Sequence, residues 1–181
     1  MKNRRVVTGI DANGKAIILS DGAAPRATDF KSFPGFSTTL VWSTAPVPTV
    51  GIGAVPDPTP ETASFHPEPG ETRLMIVTFP PDAAMAAPTF DPVGYGTEIV
   101  EANPGLAARF EPDHPGMHTT DTVDYDVVLE GDIWLELDDG RELEMHAQDV
   151  VIQNGTRHAW RNKSNKPATM LFVFVGAQRR A

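Results

Sequence analysis

The stretch "VDYDVVLEGDIWLELDDGRELEMH", residues 123–146, decides the fold. Apolar and polar side chains alternate along it, and the alternation breaks at Gly131 and again at Asp138-Asp139-Gly140. An extended chain points successive side chains to opposite faces, so each run reads as a strand with one buried face. Ile133, Leu135 and Leu137 share one such face, and Trp134, Glu136 and Asp138 share the other. Asp-Asp-Gly between two such runs is hairpin-turn chemistry, not a carboxylate dyad for catalysis.

Reading outward, the same rhythm continues through "QDVVIQ" (148–153), the residues around 156–164 and "ATMLFVFVGA" (168–177). Upstream, "RRVVTGI" (4–10) and "AIILSDG" (16–22) flank Asn13-Gly14 and read as a hairpin; "FSTTLVWST" (36–44) and "TRLMIVTFPP" (72–81) are further β-branched and aromatic runs. Between them, residues 45–70 are crowded with Pro and Gly and read as a long loop, either a lid or a segment draped over a neighbouring surface. Its "GIGAVP" lacks the third Gly, the Lys and the helix of a phosphate loop. Helical turns are expected only over residues 94–110, divided by Pro104. Short strands at near-regular spacing predict an all-β sandwich or barrel with little helix. "MLFVFV" (170–175) is apolar on both faces, so something covers its outer side, either the N-terminal strands or a second copy of the chain; a homodimer is expected.

With 181 residues the chain suits one domain, large enough to bury roughly 70% of the surface of its unfolded form. It contains no Cys, which excludes disulfides, thiolate nucleophiles, iron–sulfur clusters and Cys-based zinc sites. Twenty-four acidic against 15 basic side chains give a net charge of −9, which repels phosphate backbones, so no nucleic-acid partner is expected. The basic opening meets polar residues before any long apolar stretch, and no apolar run is long enough to span a bilayer; a cytoplasmic protein with no membrane partner is expected. No Gly-x-Ser-x-Gly elbow and no His-Glu-x-x-His helix is present.

Two short motifs carry the chemistry. The first runs His118, Thr119, Thr120, three residues, Asp124, six residues, Gly131; the second runs Gly155, two residues, His158, three residues, Asn162. These spacings, with the hairpin between them, resemble those of the cupins, and the resemblance covers roughly residues 111–176. It implies a cupin β-barrel of the jelly-roll kind, with residues 1–110 supplying extra N-terminal strands and a Pro-rich loop packed on the barrel, the whole of 1–181 forming a single domain. The chain departs from the family pattern at Thr120 (usually His), at Asp124 (usually Glu), at Gln148 (usually Gly) and in the Pro missing ahead of Gly155.

The resemblance further implies that His118, Asp124 and His158 face one cavity. Two imidazoles and a carboxylate suit one divalent ion, Fe, Mn, Ni or Zn, with positions left open for substrate. The same groups serve equally as a metal-free acid–base set for an isomerase, dehydratase or lyase, since His titrates near neutrality. The bland alternative is a pair of wall histidines bonded to backbone, or a pocket that binds without turnover. Thr120, Trp160 and Asn162 are the expected substrate-pocket residues; Trp160 and Asn162 share the face of His158 on a strand. A flat apolar wall beside His158 suits a small aromatic or polyketide-like molecule. Similar single-domain cupins in fungi are labelled oxidoreductases, which implies the same for this chain, with a small-molecule partner and no nucleotide cofactor. Arg157 and Arg161 bracket the second motif as candidates for pairing with a substrate carboxylate. His114 is expected in a solvated loop within reach of the pocket rim, His66 on the loop surface and His146 in an exposed turn.

Overall fold

The computed structural model describes residues 3–53 and 56–180. Its strands are β1 (Arg4–Ile10), β2 (Ala16–Ala23), β3 (Arg26–Asp29), β4 (Ser37–Thr44), β5 (Thr72–Phe79), β6 (Thr122–Glu130), β7 (Asp132–Glu136), β8 (Glu142–His146), β9 (Val150–Asn154), β10 (Ala159–Arg161) and β11 (Ala168–Gly176). The helix α1 spans Pro92–Ala102. Six strands form an antiparallel sheet in the order β3-β4-β5-β11-β6-β9, and three form a second in the order β10-β7-β8. The second sheet is widened by the backbone of His118, which bridges both His158 and Phe110. This is an all-β fold of two antiparallel sheets beside a separate hairpin, and every run of residues 123–146 falls where its alternation places it.

The core lies between the two sheets. From the small sheet come Ile133, Leu135, Met145 and Trp160; from the large one come Leu40, Met75, Val77, Val128, Met170, Phe172 and Phe174. Ile133 and Leu135 are buried, as their shared face requires. Across the large sheet the interior rows read Arg73, Phe174, Asp124, Gln153 and then Met75, Phe172, Asp126, Val151. Two carboxyl groups, Asp124 and Asp126, are thus built into the interior face of β6.

The 94–110 expectation is met by α1, which starts two residues earlier. Asp91 caps it by accepting from the N–H groups of Val93 and Gly94 at 3.1 and 3.0 Å, and Pro92 occupies the first turn, where its missing N–H costs nothing. Its end precedes Pro104. Glu98, one turn from the C-terminus, accepts from the backbone N–H groups of Lys31 and Ser32 and from the Ser32 hydroxyl, tying the helix to the β3–β4 connection. Phe33, Phe36, Phe90 and Tyr95 then pack ring to ring at 5.0–5.7 Å.

The β1–β2 hairpin forms as predicted, with Gly14 at φ +78 in the turn. Its hydrogen bonds to the barrel run from Asn3 to Thr39 and from Arg5 to the Val41 carbonyl, Thr59 and Asp57. The hairpin therefore docks at β4, and all eight residues of β2 are exposed. No described helix is long and apolar enough to cross a membrane.

Loss of the family Gly leads to the expectation of a differently shaped turn at residue 148. Instead Gln148 sits at φ +81, the region that glycine favours, and its N–H reaches the Val128 carbonyl at 2.8 Å. A side chain held there costs about 1 kcal/mol. Gln148→Gly is expected to raise the unfolding free energy by up to about 1 kcal/mol in urea titration, with no change in the transition's slope.

Candidate functional site

His118 and His158 are placed by the same local device used twice. In each, the ring Nδ1 lies 3.0 Å from the carbonyl two residues back, Gly116 for His118 and Thr156 for His158. A carbonyl only accepts, so both Nδ1 atoms carry the proton and both Nε2 atoms are left as the acceptor nitrogens. The backbones then exchange hydrogen bonds, N–H to carbonyl at 2.9 and 3.0 Å, which sets the two rings side by side with centroids 4.3 Å apart. Phe110 lies 4.6 Å from the His118 ring, and Trp160 meets His158 edge-on at 6.0 Å.

Burial lowers the pKa of both imidazoles. For His118 the neighbouring His158 lowers it further, to about 4. At neutral pH both rings are uncharged.

The loops carrying the pair are tied together by Arg179. Its Nη2 donates to the Thr120 carbonyl at 2.9 Å and to the Gly155 carbonyl at 3.1 Å, while its Nε pairs with Asp121. Gly155, at φ +62, has Arg179 and the Thr120 carbonyl 3.1 and 3.3 Å from where a Cβ would stand, so a side chain there is excluded by backbone conformation and by contact.

Both histidines and Trp160 line a cavity of about 420 Å³. Met75, Val77, Phe79, Phe172 and Phe174 form its floor from β5 and β11. Phe33 and Phe36 with Phe90, Tyr95, Ile99 and Leu106 form the opposite wall, contributed by the β3–β4 connection and by the helical segment. Asn103 also lines it, buried, and its Oδ1 has no hydrogen-bond partner.

Of the expected site residues, the structure brings together His118, His158 and Trp160. Asp124 faces the barrel interior from the other sheet, buried, but is not part of the cavity wall. Thr120 is buried, and its hydroxyl accepts a hydrogen bond from Thr122 at 2.7 Å. Asn162 is a structural residue: its Nδ2 donates to the carbonyls of Phe79 and Lys166, and its Oδ1 accepts from Ser164. Neither belongs to the wall. Arg157 is committed to Glu111 and Asp138, and Arg161, though it lines the cavity, to Glu136 and the Pro115 carbonyl. His66, expected on the surface, is buried and accepts from the Asp121 N–H, because Phe65 beside it anchors the Pro-rich loop in the core. His114 and His146 are exposed as expected, beside Glu111 and Asp132.

The histidine pair has the carbonyl-bonded Nδ1 atoms of metal-ligating imidazoles, but two nitrogens make only half of a tetrahedral shell. Among the described residues no three His, Cys, Asp or Glu side chains stand close enough to hold an ion. The carboxylate is a methylene shorter than the family's Glu, and Thr120 offers its hydroxyl elsewhere. The three-residue set is therefore not assembled.

Asp126 escaped the sequence reading although it shares the face of Asp124 by simple alternation. Neither of its carboxyl oxygens has a partner, nor do Asp124 Oδ1 and Gln153 Nε2. Burial pushes Asp124 up to about 7 and Asp126, with Asp124 beside it, up to about 8. The unfolded chain ionises such groups near 4. Between about pH 4 and pH 8 the folded protein thus holds protons that the unfolded chain has released, and raising the pH across that window favours unfolding. The buried histidines act oppositely, the unfolded chain binding protons the folded one refuses, but only below about pH 6.5. Stability is expected to fall from pH 6.5 to 8, by at most about 1.4 kcal/mol per pH unit for each proton, and Asp126→Asn to flatten that fall in urea titrations across the range.

Residues 99–174 match the family model for the cupin domain. The chain is 36% identical over 104 residues to phomopsin biosynthesis cluster protein D of Diaporthe leptostromiformis, covering 57% of this chain and 51% of that protein. To oryzines biosynthesis cluster protein J of Aspergillus oryzae it is 39% identical over 79 residues, covering 41% and 44% of the two chains. To the cupin-domain-containing oxidoreductase fogC of Aspergillus ruber it is 36% identical over 78 residues, covering 39% and 38%. The chain spans about half the length, or less, of these curated relatives.

Proposed function

We propose that this chain is an enzyme that takes a small aromatic or polyketide-like molecule into the cavity and works on it at the His118–His158 pair. One observation carries the reading: a cavity of about 420 Å³ walled by aromatic and aliphatic side chains ends in two buried imidazoles. An apolar pocket with a few convergent polar groups is the usual form of a small-molecule site. The chemistry that the pair offers is proton transfer. An uncharged imidazole accepts a proton at Nε2. The carbonyl of Thr156 on Nδ1 fixes the ring and stabilises the imidazolium that forms. Isomerisation, dehydration and lyase chemistry all begin with such a step.

The relatives from fungal biosynthesis clusters support a place in the making of small molecules. The oxidoreductase name of another supports a second reading, oxidation or reduction in the same cavity. Incubation with a panel of aromatic polyketides, followed by mass spectrometry, separates the two. Products that are isomers or dehydration products of their substrates support proton transfer; gain or loss of hydrogen or oxygen supports oxidoreduction. In either case His118→Ala and His158→Ala are each expected to lower turnover by about 10²-fold or more with the barrel still folded by circular dichroism. Full activity in both variants would refute the reading.

The proposal includes a homodimer. Tyr125 and Leu129 of β6 and Val150 and Ile152 of β9 are exposed together on the outer face of the large sheet, where a second copy would cover them. Light scattering is expected to give twice the chain mass, and Tyr125→Lys with Ile152→Lys to give the single mass; a monomeric parent protein would remove the dimer from the proposal.

A further inference from the structure

The chemistry of a ligand can be read from what the wall offers it. Most of the cavity wall is carbon, the aromatic rings on the helical side and the side chains of β5 and β11; its other uncharged polar groups are Thr38, the Tyr95 hydroxyl, Asn103, and the Trp160 indole N–H, a buried donor without a partner. At the far end stand two acceptors with the same orientation lock. Each Nδ1 is committed to a carbonyl at 3.0 Å, so neither ring can turn its N–H toward the cavity without breaking that bond inside a buried site. With centroids 4.3 Å apart in a dry environment, the rings also disfavour charge on one another. Two lone pairs therefore face a ligand at adjacent positions.

The wall offers an anion no counter-charge. Arg161 is the Lys or Arg side chain that lines the cavity among the described residues. Its Nε donates to Glu136 at 2.6 Å and its Nη1 to the Pro115 carbonyl at 2.7 Å. Asp82, the acidic lining residue, accepts from the Asn162 N–H. A carboxylate placed against the histidines would meet lone pairs, whereas a hydroxyl would donate into them and could itself accept from the unpartnered Trp160 N–H.

We infer that the ligand is an uncharged aromatic molecule whose hydroxyl groups donate hydrogen bonds to Nε2 of His118 and His158, and that these two nitrogens select phenols over carboxylates and over bare hydrocarbons. The inference rests on the reading of the cavity as an aromatic site. It extends that reading from shape to hydrogen-bonding sense, because a buried acceptor left without a donor rejects a ligand that cannot supply one.

The test uses three probes of one ring system, 2-naphthol, naphthalene and 2-naphthoate, titrated into the full chain and followed by intrinsic fluorescence. The ¹⁵N shifts of the histidine Nε2 atoms are recorded in parallel. The titration is repeated after dialysis against EDTA. The expected result is 2-naphthol binding at least about tenfold more tightly than either other probe, with Nε2 of both rings shifting and with the same affinity after EDTA. In His118→Ala and His158→Ala the preference over naphthalene is expected to shrink severalfold. If either variant does not fold, the Nε2 shifts in the unaltered protein decide. Equal or tighter binding of 2-naphthoate, an unshifted Nε2 pair on naphthol binding, or loss of binding after EDTA would each overturn the inference while leaving an aromatic pocket. Binding of none of the three would overturn the aromatic reading itself.

Discussion

The reciprocal backbone hydrogen bonds between His118 and His158 are the contact on which the site depends. They join the segment ahead of β6 to the start of β10, widening the small sheet by one strand position, and in the same stroke they hold two imidazoles at ring-contact distance. Every other element near the site serves that pairing. Carbonyls two residues back fix each ring, and Arg179 draws the two loops together from outside. Phe110 and Trp160 close the flanks. The acceptor pair is thus a product of sheet formation, assembled by backbone rather than by side-chain attraction.

Opposite this pair, Asp124 and Asp126 present a different kind of polarity. Both are carboxyls in an apolar interior, and burial without a cationic partner favours their neutral form. In the family pattern this face of the barrel is where the carboxylate would meet the imidazoles. Here the side chain is shorter, and a second acid stands behind it on the same strand. The interior is divided between a dry acceptor end and a pair of retained protons.

The strands were legible because their information is local. Residues 123–146 alternate with period two and are punctuated by turn residues, and the large and small sheets follow from that alone. The histidines were legible because their spacing from Gly131, Gly155 and Asn162 is short-range. What stayed hidden depended on contacts distant in sequence. Phe33, Phe36, Phe90 and Tyr95 lie in segments with no period, and only folding shows that they meet. Spacing placed Thr120 and Asn162 on the right face, but spacing cannot say that their polar atoms are consumed by neighbouring residues. Gln148 illustrates the reverse limit. Losing a glycine reads as a change of turn, whereas residue 148 takes the left-handed conformation that glycine favours with a side chain in place. Asp126 was within reach of the alternation argument that found Asp124, and the signal for it was the interior face of β6 itself.

The far wall of the cavity belongs to the β3–β4 connection and to the stretch between β5 and the first motif, which Glu98 joins through the N–H groups of residues 31 and 32. The imidazoles belong to the barrel. On the proposed function, fit and reactivity are encoded in separate pieces of chain, and substitutions along one face of α1 would change which guest fits without disturbing the histidine nitrogens. A scaffold divided in this way can be retuned for a new guest one helix residue at a time.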